Sequence, residues 1–576
     1  MDRRRAALVI GDDTRGFLAT VRSLGRGGVE VHAAPFTFQS PALKSRYISK
    51  LHWLPYYLGD GSEWLRAFDE LLERERLALV IPCDERGLLP LHHHRERFRT
   101  QTRLAIPDTH SLEILFDKLK TRELARSLEI PVAKGRIIRS SDTVQTLIAE
   151  AGLPLAIKPT SSYTLDRLYA RNRVIVASDE SEIAQALNEV GDGTHFFEGF
   201  FPGTGAGVSV LAHKGRVLQA FQHGRVHESQ GAGYYRVSQE FSPSLVDAVN
   251  KVIEATAYTG LAMFEFRVDR KSGTWILLEV NARPWGSLPL PVALGIDFPY
   301  RWYQLLVDGV ETPARRYKIG MYGRNVVPDA RQQLARAKEL QQKPSKLVGF
   351  MLKALSEYMR VFAGRELYDV FVLDDPAPGW HELLGRLLER RPGHLSELLG
   401  AERQRRVDQL ALRDAIRDTK KREHEIAFVC QGNICRSPVA AALLEREIDR
   451  VSGIHVRSFG NLPRVGASSP PNAIVAARSW DIDLETHRSR YFSREAAEGT
   501  SLIVIFDETN RKWIEERYPT LQVPVVMLGS FLSSTRAKPI IADPDGSDVT
   551  RFERIYGAIA NAVGGMAQQI REATNA

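Results

Sequence analysis

Residues 429–438 read Val-Cys-Gln-Gly-Asn-Ile-Cys-Arg-Ser-Pro, and they hold the residue types most suited to chemistry in the chain. The apolar run Ile426–Val429 before them reads as a buried strand, and Val439–Leu444 after them reads as a helix. A strand–loop–helix junction aims backbone N–H groups and the positive helix end at one point, which favours an oxyanion there. A cysteine at that point is expected to ionise early, its pKa moving from about 8.5 into the range of roughly 3.5–7.5. Arg436 adds a planar fork matched to two phosphoryl oxygens. Cys430 is therefore expected to be a nucleophile toward phosphorus and Arg436 part of its cradle. The plain alternative is a packed cysteine before a helix. Against it stands Ile541-Ala542-Asp543-Pro544, where Asp543 sits before a proline that restricts its backbone. Thiolate attack on a phosphate ester needs an acid for the leaving oxygen, and Asp543 fits that need.

A second constellation lies at 260–281. Gly260–Asp269 alternates like a strand, a turn follows at Arg270–Gly273, and Trp275–Asn281 forms the second arm of a hairpin. Glu279 and Asn281 are two residues apart and share a face, and Glu265 on the partner strand can meet them. Two carboxylates and an amide oxygen make a hard-oxygen set suited to Mg²⁺, with Mn²⁺ as the alternative ion. An acidic, solvated sheet face is the bland reading.

The elements that must position these groups read as α/β throughout. Ala6–Gly11, Val29–Ala33 and Leu77–Ile81 are buried-strand patterns, with a helical segment around Phe17–Leu24. Gly11–Gly16 lacks the dinucleotide glycine pattern, so no nicotinamide cofactor is expected. Cys83 has no ligand-spaced Cys or His beside it and reads as a packed thiol. Residues 331–340, 347–362, 381–390 and 395–421 read as helices, that at 347–362 amphipathic, a pattern open to lying on a membrane but expected to pack on the preceding domain. Gln404–Glu425 is highly charged and reads as a connector.

Residues 425–570 resemble low-molecular-weight protein tyrosine phosphatases. The resemblance rests on the 429–438 string, Ser458-Phe459-Gly460, Leu484–Arg490 and Asp543-Pro544. It implies that Cys430 forms a phosphocysteine, that Arg436 binds the phosphoryl group, and that Asp543 acts first as acid and then as base. It also implies that Gly432, Asn433 and Ser437 support the loop, Asn433 in a left-handed turn and Ser437 bonded to the thiolate. Cys435 would be placed to form a reversible disulfide with Cys430. Two features depart from the family: Asp545-Gly546 follow Asp-Pro, and Leu462-Pro463 carry no substrate-stacking aromatic. Arsenate reductases share this fold but need further cysteines downstream, and none follows Cys435.

Residues 1–325 resemble ATP-grasp ligases of the carbamoyl-phosphate-synthase-like, carboxylate–amine type. The carriers are Leu277–Ser287, Phe116-Asp117-Lys118, Leu155–Pro159 and Phe196–Gly203. The resemblance implies that Lys118 and Lys158 contact ATP phosphates and that Glu198 and Phe200 line the purine pocket. Glu265, Glu279 and Asn281 would bind Mg²⁺, with Arg283 facing the transferring phosphate. The glycine-rich flap is missing from Thr160–Leu165, which implies either a less mobile flap or phosphate gripped by Arg167, Arg171 or Arg173, and Gly231–Gly233 reads equally as a substrate-side loop or a bare turn.

The expected fold class is α/β multidomain. It comprises an α/β pre-ATP-grasp domain (1–110), an α+β ATP-grasp domain (111–325), a helical extension and connector (326–424), and a doubly wound α/β phosphatase domain with a central parallel sheet (425–576). The expected function is bifunctional: ATP- and Mg-dependent activation of a carboxylate and its ligation to an amine or similar nucleophile, plus phosphomonoester (phosphotyrosine) hydrolysis. The alternatives are a phosphatase regulated by a non-ligating nucleotide-binding module, or two domains serving one small-molecule pathway. Partners would be small carboxylates and amines, and either a phosphotyrosine protein or a small phosphomonoester.

Composition agrees with this class. The 576 residues are 43% hydrophobic and 26% charged, as in ordinary globular protein. Three cysteines exclude a disulfide framework and suit a reducing cytoplasm. No apolar stretch is long enough for a membrane span or signal peptide. The net charge of +8 comes without any aromatic–basic reading motif, so no nucleic-acid partner is expected.

Overall fold

The computed structural model divides into two compact units, Met1–Glu389 and Arg390–Ala576. It describes residues 6–37, 40–168, 171–172, 174–190, 193–229, 232–340, 344–388, 394–416, 423–448, 451, 453–518, 521–533 and 539–575.

The first unit holds three sheets. β1 (Ala6–Ile10), β2 (Glu30–Ala34), β3 (Ile48–Leu51), β4 (Leu79–Pro82) and β5 (Arg103–Leu104) form a parallel sheet in the order β3-β2-β1-β4-β5. The apolar runs seen in the sequence are its central strands, buried on both faces as parallel strands are. Cys83 follows β4 as a buried thiol whose Sγ lies 3.7 Å from Thr20 Oγ1. Burial pushes that thiol well above its usual pKa, in keeping with a packing role.

β6 (Leu155–Pro159), β7 (Ile175–Ala177) and β8 (His195–Gly199) make a small antiparallel sheet, ordered β7-β6-β8. The third sheet contains β9 (Thr204–His213), β10 (Arg216–Ser229), β11 (Ala232–Ser238), β12 (Gly260–Val268), β13 (Trp275–Asn281), β14 (Tyr322–Arg324) and β15 (Glu366–Tyr368). Its order is β13-β12-β9-β10-β11-β14-β15. The 260–281 hairpin is β12–β13, and a register shift falls directly after the Glu265↔Glu279 pair. Such a bulge re-aims side chains, and bulges recur beside functional sites.

Buried ion pairs join segments far apart in sequence. Arg22, on the helix Gly16–Arg26, donates from Nε to Asp375 Oδ2 at 2.9 Å and from Nη2 to the Val370 and Asp375 carbonyls, both at 2.8 Å. Asp375 also accepts from Ser45 Oγ at 2.7 Å and Arg46 N at 2.9 Å. The Asp374-Asp375-Pro376 turn thus ties the last strand region to the first sheet. Arg324 lies between the rings of Tyr235 (3.7 Å) and Tyr358 (4.3 Å), bonds Glu366 with Nε at 2.6 Å, and pairs with Asp329. His227 bridges Asp329 (2.8 Å) and Glu357 (3.2 Å).

The helix Pro344–Tyr358 corrects one expectation. Glu357 and Tyr358 face the unit, but Val348, Met351, Leu352 and Leu355 are exposed rather than packed on it. Among the described residues no helix is long and apolar enough to cross a membrane.

The second unit is a parallel sheet, β17-β16-β18-β19, built from β16 (His424–Cys430), β17 (Ile454–Gly460), β18 (Leu502–Ile505) and β19 (Val525–Met527). The helices Arg436–Glu447 and Val549–Asn575 pack together over a core that includes Phe428, Val439, Leu444, Tyr556 and Met566. The charged helix His394–Ala415 is seated on this unit: Asp408 accepts from Met527 N at 3.1 Å and Ser530 Oγ at 2.5 Å, and Leu412 is fully buried. β17 lies on one side of β16 and β18 on the other. The carboxyl end of β16 is therefore a topological switch point, where α/β sheets open a ligand crevice.

Breaking the Arg22–Asp375 pair strands a buried guanidinium, so Asp375→Ala should lower stability by about 3–5 kcal/mol in urea unfolding. His227 gives a pH signature. Burial alone would lower its pKa, but hydrogen bonds donated by the imidazole to Asp329 and Glu357 override burial and raise it from 6.5 to about 8. Its contribution is complete below pH 6.5 and disappears as pH rises through about 8. The melting temperature of the first unit should fall across that window, and His227→Gln should flatten the fall.

Candidate functional site

At the switch point β16 ends on Cys430, the chain turns through residues 431–435, and the helix Arg436–Glu447 begins. Asn433 has φ +52°, the left-handed region that asparagine tolerates better than most residues. Its amide N–H reaches Cys430 Sγ at 3.3 Å, and its Nδ2 donates to Ser437 Oγ at 2.9 Å. Its Oδ1 accepts from Arg490 N at 2.7 Å, and its carbonyl from His487 Nε2 at 2.7 Å. His487 must therefore carry its proton on Nε2.

Ser437 Oγ lies 3.1 Å from Cys430 Sγ and 3.1 Å from the Phe459 carbonyl. Its oxygen already accepts from Asn433, leaving one proton to place. With a thiol, Cys430 donates to Ser437 and Ser437 donates to Phe459. With a thiolate, the serine proton turns to the sulfur. The hydroxyl can therefore serve both protonation states without moving.

Gly460 shows why the loop needs a glycine opposite it. A Cβ there would meet Asn433 N and Gly432 C, each at 2.9 Å. Gly432, Asn433 and Ser437 all stand in or beside the loop around the sulfur. Cys435 is buried in the same loop, and its thiol is pushed far up by burial, with Asp545 adding to the effect. All three cysteines are free thiols.

Arg436 Nη1 bonds Asp507 Oδ2 at 2.7 Å and the Ile541 carbonyl at 3.0 Å, while Nη2 bonds Asp543 Oδ2 at 2.5 Å. Cys430, Arg436 and Asp543 are thus brought together as expected. Arg436 Nε is buried with no hydrogen-bond partner, an orphan donor suited to an anionic ligand. Asp507 was missed by the sequence reading. Its signal was there: an aspartate closing the apolar run Leu502–Phe506 and capping the helix Glu508–Arg517.

In the first unit, a cleft of ≈ 210 Å³ is lined by Lys118, Glu279, Asn281 and Arg283 together with Glu85, Tyr163 and Arg171. Lys118 opens the helix Lys118–Ser127, and its N–H bonds the Thr160 carbonyl at 2.8 Å, which ties it to the end of β6. Lys118 Nζ lies 3.6 Å from Glu279, and Arg283 Nη2 lies 2.9 Å from Glu85 and 3.2 Å from Asn281 Oδ1. Glu265 stands opposite Glu279, 3.5 Å from Asn281 Nδ2, and pairs with Arg225 at 2.6 Å.

The two carboxylates differ. Burial and Glu279 raise the Glu265 pKa more than Arg225 lowers it. Burial also acts to raise Glu279, but Lys118, Lys158, Arg171 and Arg283 together hold it low. Close, half-buried carboxylates with an amide oxygen form an oxygen donor set that fits a hard divalent cation.

The other expected nucleotide residues are grouped differently. Glu198 is buried between Lys158 on the neighbouring strand and Arg122, which the sequence reading did not single out. Phe200 is 45% exposed, with the Arg267 guanidinium 5.9 Å from its ring. Arg173 and Gly231 lie outside the described residues. A separate group, His32, His52 and Glu75, brings three donor atoms within 4.8 Å. There, Lys50 is 2.6 Å from Glu75, and His52, His32 and Glu30 form a hydrogen-bonded chain, so its donors are already satisfied.

Residues 425–576 match the family model described as low molecular weight phosphotyrosine protein phosphatase. Residues 197–323 match the one described as ATP-grasp in the biosynthetic pathway with Ter operon. The protein-arginine-phosphatase of Geobacillus stearothermophilus is 28% identical over 148 residues, 26% of this chain and 97% of that protein. The probable low molecular weight protein-tyrosine-phosphatase EpsP of Ralstonia nicotianae is 31% identical over 146 residues, 25% of this chain and 95% of that protein. The crystal structure of L-amino acid ligase from Bacillus licheniformis aligns with a TM-score of 0.42 at 18% identity, over 54% of this chain and 78% of that one.

Gly460→Ala should push the 431–433 backbone off its position while leaving the core intact. We expect kcat/KM on p-nitrophenyl phosphate to fall by roughly 10²-fold with an unchanged circular dichroism spectrum, the scale of loss for a misplaced reacting group.

Proposed function

We propose that this chain, which belongs through residues 425–576 to the low molecular weight phosphotyrosine protein phosphatase family, is a two-site enzyme. One site hydrolyses phosphomonoesters through a phosphocysteine, and the other uses ATP to activate a carboxylate for ligation to an amine or similar nucleophile. The observation that carries the first activity is the Cys430 sulfur held by Ser437 Oγ and Asn433 N–H beside an Arg436 joined to Asp543.

The Cys430 thiolate attacks phosphorus, and the ester oxygen departs with a proton from the Asp543 carboxyl. Arg436 and the loop N–H groups hold the phosphoryl oxygens. Asp543, now a carboxylate, takes a proton from water as that water attacks the phosphocysteine. Phosphate leaves and the thiolate returns, stabilised by the Ser437 hydroxyl. Burial keeps the neighbouring Cys435 thiol protonated, so it does not compete as a nucleophile.

For the second site, the convergence of Glu265, Glu279, Asn281, Lys118 and Arg283 supports ATP use. Glu265, Glu279 and Asn281 would hold Mg²⁺, or Mn²⁺ in its place, which when bound offsets charge on the transferring phosphoryl group. Lys118 and Arg283 would orient phosphate oxygens. Lys158 and Glu198 form one side of the nucleotide region, and Phe200 offers an exposed aromatic face to the base. The free thiols fit a reducing compartment, so we assign the protein to the cytoplasm.

The relatives differ in the phosphoryl carrier, tyrosine in one and arginine in another. Leu462-Pro463 and Asp545-Gly546 provide no ring to stack on a phenol. Phosphotyrosine and phosphoarginine peptides should therefore be compared directly with sugar and nucleotide phosphates. Cys430→Ser should abolish hydrolysis of all of them, and Asp543→Asn should slow the chemical step on poor leaving groups by roughly 10²–10⁴-fold. Activity surviving in Cys430→Ser would reject the phosphocysteine. For the second site, ADP release from Mg-ATP with pooled carboxylates and amines is expected in the Cys430→Ser protein and should vanish in Glu279→Ala. Nucleotide binding without any turnover would favour a regulatory module.

A further inference from the structure

The helix Pro344–Tyr358 and the turn Met359–Val361 have two contrasting faces. The inner face is pinned. Glu357 is buried against His227 at 3.2 Å, Tyr358 stacks on Arg324, and Arg360 Nη1 donates to Tyr235 Oη at 2.6 Å. The outer face carries Val348, Met351, Leu352, Leu355, Met359 and Phe362, each between 52% and 82% exposed. At 3.6 residues per turn the four in the helix, Val348, Met351, Leu352 and Leu355, fall within an arc of about 100°, and Met359 and Phe362 follow in the turn after it. Single exposed leucines are ordinary, but a continuous stripe of six large apolar side chains marks a surface that is covered in use.

The charges on this segment all have one sign. From residue 345 to 365 the exposed charged side chains are Lys346, Lys353 and Arg365, and the sole carboxylates up to that point belong to the buried Glu357. Ser345, Gly349 and Ser356 complete the exposed polar flank. The preceding helix, Val326–Glu339, adds Arg336 and Lys338 against Glu339 in its last turn. An apolar stripe beside a flank of lysines and small polar residues is the pattern of helices that lie in the plane of a membrane interface. A second copy of the chain would present the same basic residues and gain no complementary charge. An anionic lipid surface supplies both an apolar layer and the opposite charge, at about 1 kcal/mol per Lys or Arg near it.

We propose that the helix Pro344–Tyr358 and the turn that follows it to Arg365 form a docking surface for an anionic lipid bilayer, holding the protein peripherally with the Val348–Phe362 stripe in the interface. The helix is short and its apolar face narrow, so binding is reversible and salt-sensitive.

The test is cosedimentation of the full chain with vesicles of phosphatidylglycerol and phosphatidylcholine, against phosphatidylcholine alone. Binding to the anionic vesicles should be at least tenfold stronger and should weaken with added salt. Leu352→Glu/Leu355→Glu should remove it, and Lys346→Glu/Lys353→Glu should reduce it several-fold. All these positions are exposed, so p-nitrophenyl phosphate hydrolysis and circular dichroism should be unchanged. Equal binding to both vesicle types, or no loss in the leucine variant, would overturn the proposal. So would a dimer in analytical ultracentrifugation that the leucine variant dissociates while the parent binds no vesicles, because the stripe would then be a self-association surface. Capture by an acidic protein with no vesicle binding would overturn it in favour of a protein partner.

Discussion

The conformation of Asn433 governs the site of the second unit. At φ +52° its peptide turns an N–H toward the Cys430 sulfur while its side chain spans Ser437 and the Arg490 backbone. Those bonds fix the loop at both ends, one on the helix that follows and one on the segment 57 positions away. His487 closes the ring by donating to the Asn433 carbonyl. A left-handed residue without these partners would relax toward ordinary helical or extended backbone, and the N–H would swing away from the sulfur. Arg436 depends on the same turn, because it is the first residue of the helix that the turn delivers.

The first unit meets a related problem by different means. Its carboxylates must stand close together in a cleft, where like charges repel. Lys118, Lys158, Arg171 and Arg283 surround Glu279, and Arg225 pairs with Glu265. As direct cross-strand partners Glu265 and Glu279 project from the same face of the hairpin. Elsewhere in the unit, charge is buried only where geometry is tight, as with Arg22 on Asp375 and Arg324 between two rings. These pairs set how sequence-distant segments lie against one another. They also leave the Pro344–Tyr358 helix anchored by its inner face alone.

Much of the candidate catalytic set was legible in the chain because it is local. Cys430, Asn433, Arg436 and Ser437 lie within eight residues, and a strand–loop–helix pattern frames them. Glu279 and Asn281 were legible through the two-residue period of a strand. Arg122 and Arg225 were not legible, since each matters only through a partner 76 and 40 positions away, and the strand-end signal at Asp507 did not reveal its partner 71 positions back. Glu198 shows the same limit from the other side: its place in a motif was clear, but its burial between Arg122 and Lys158 was not. The amphipathic period at 347–362 was also clear. Period alone does not say which of two apolar faces meets the protein, and here the face with Glu357 does.

By itself, the sequence determined the main strand and helix patterns, which loop holds the candidate nucleophilic cysteine, and which strand carries the candidate paired oxygen ligands. These follow from periodicity and from residues a few positions apart, where chain geometry leaves little choice. Tertiary structure decided which charges neutralise which, where the buried arginines find their carboxylates, and which hydrophobic face stays uncovered. Those outcomes rest on contacts between segments up to 353 residues apart. They are selected by the cost of burying an unpaired charge, which acts only once the sheets and helices have come together.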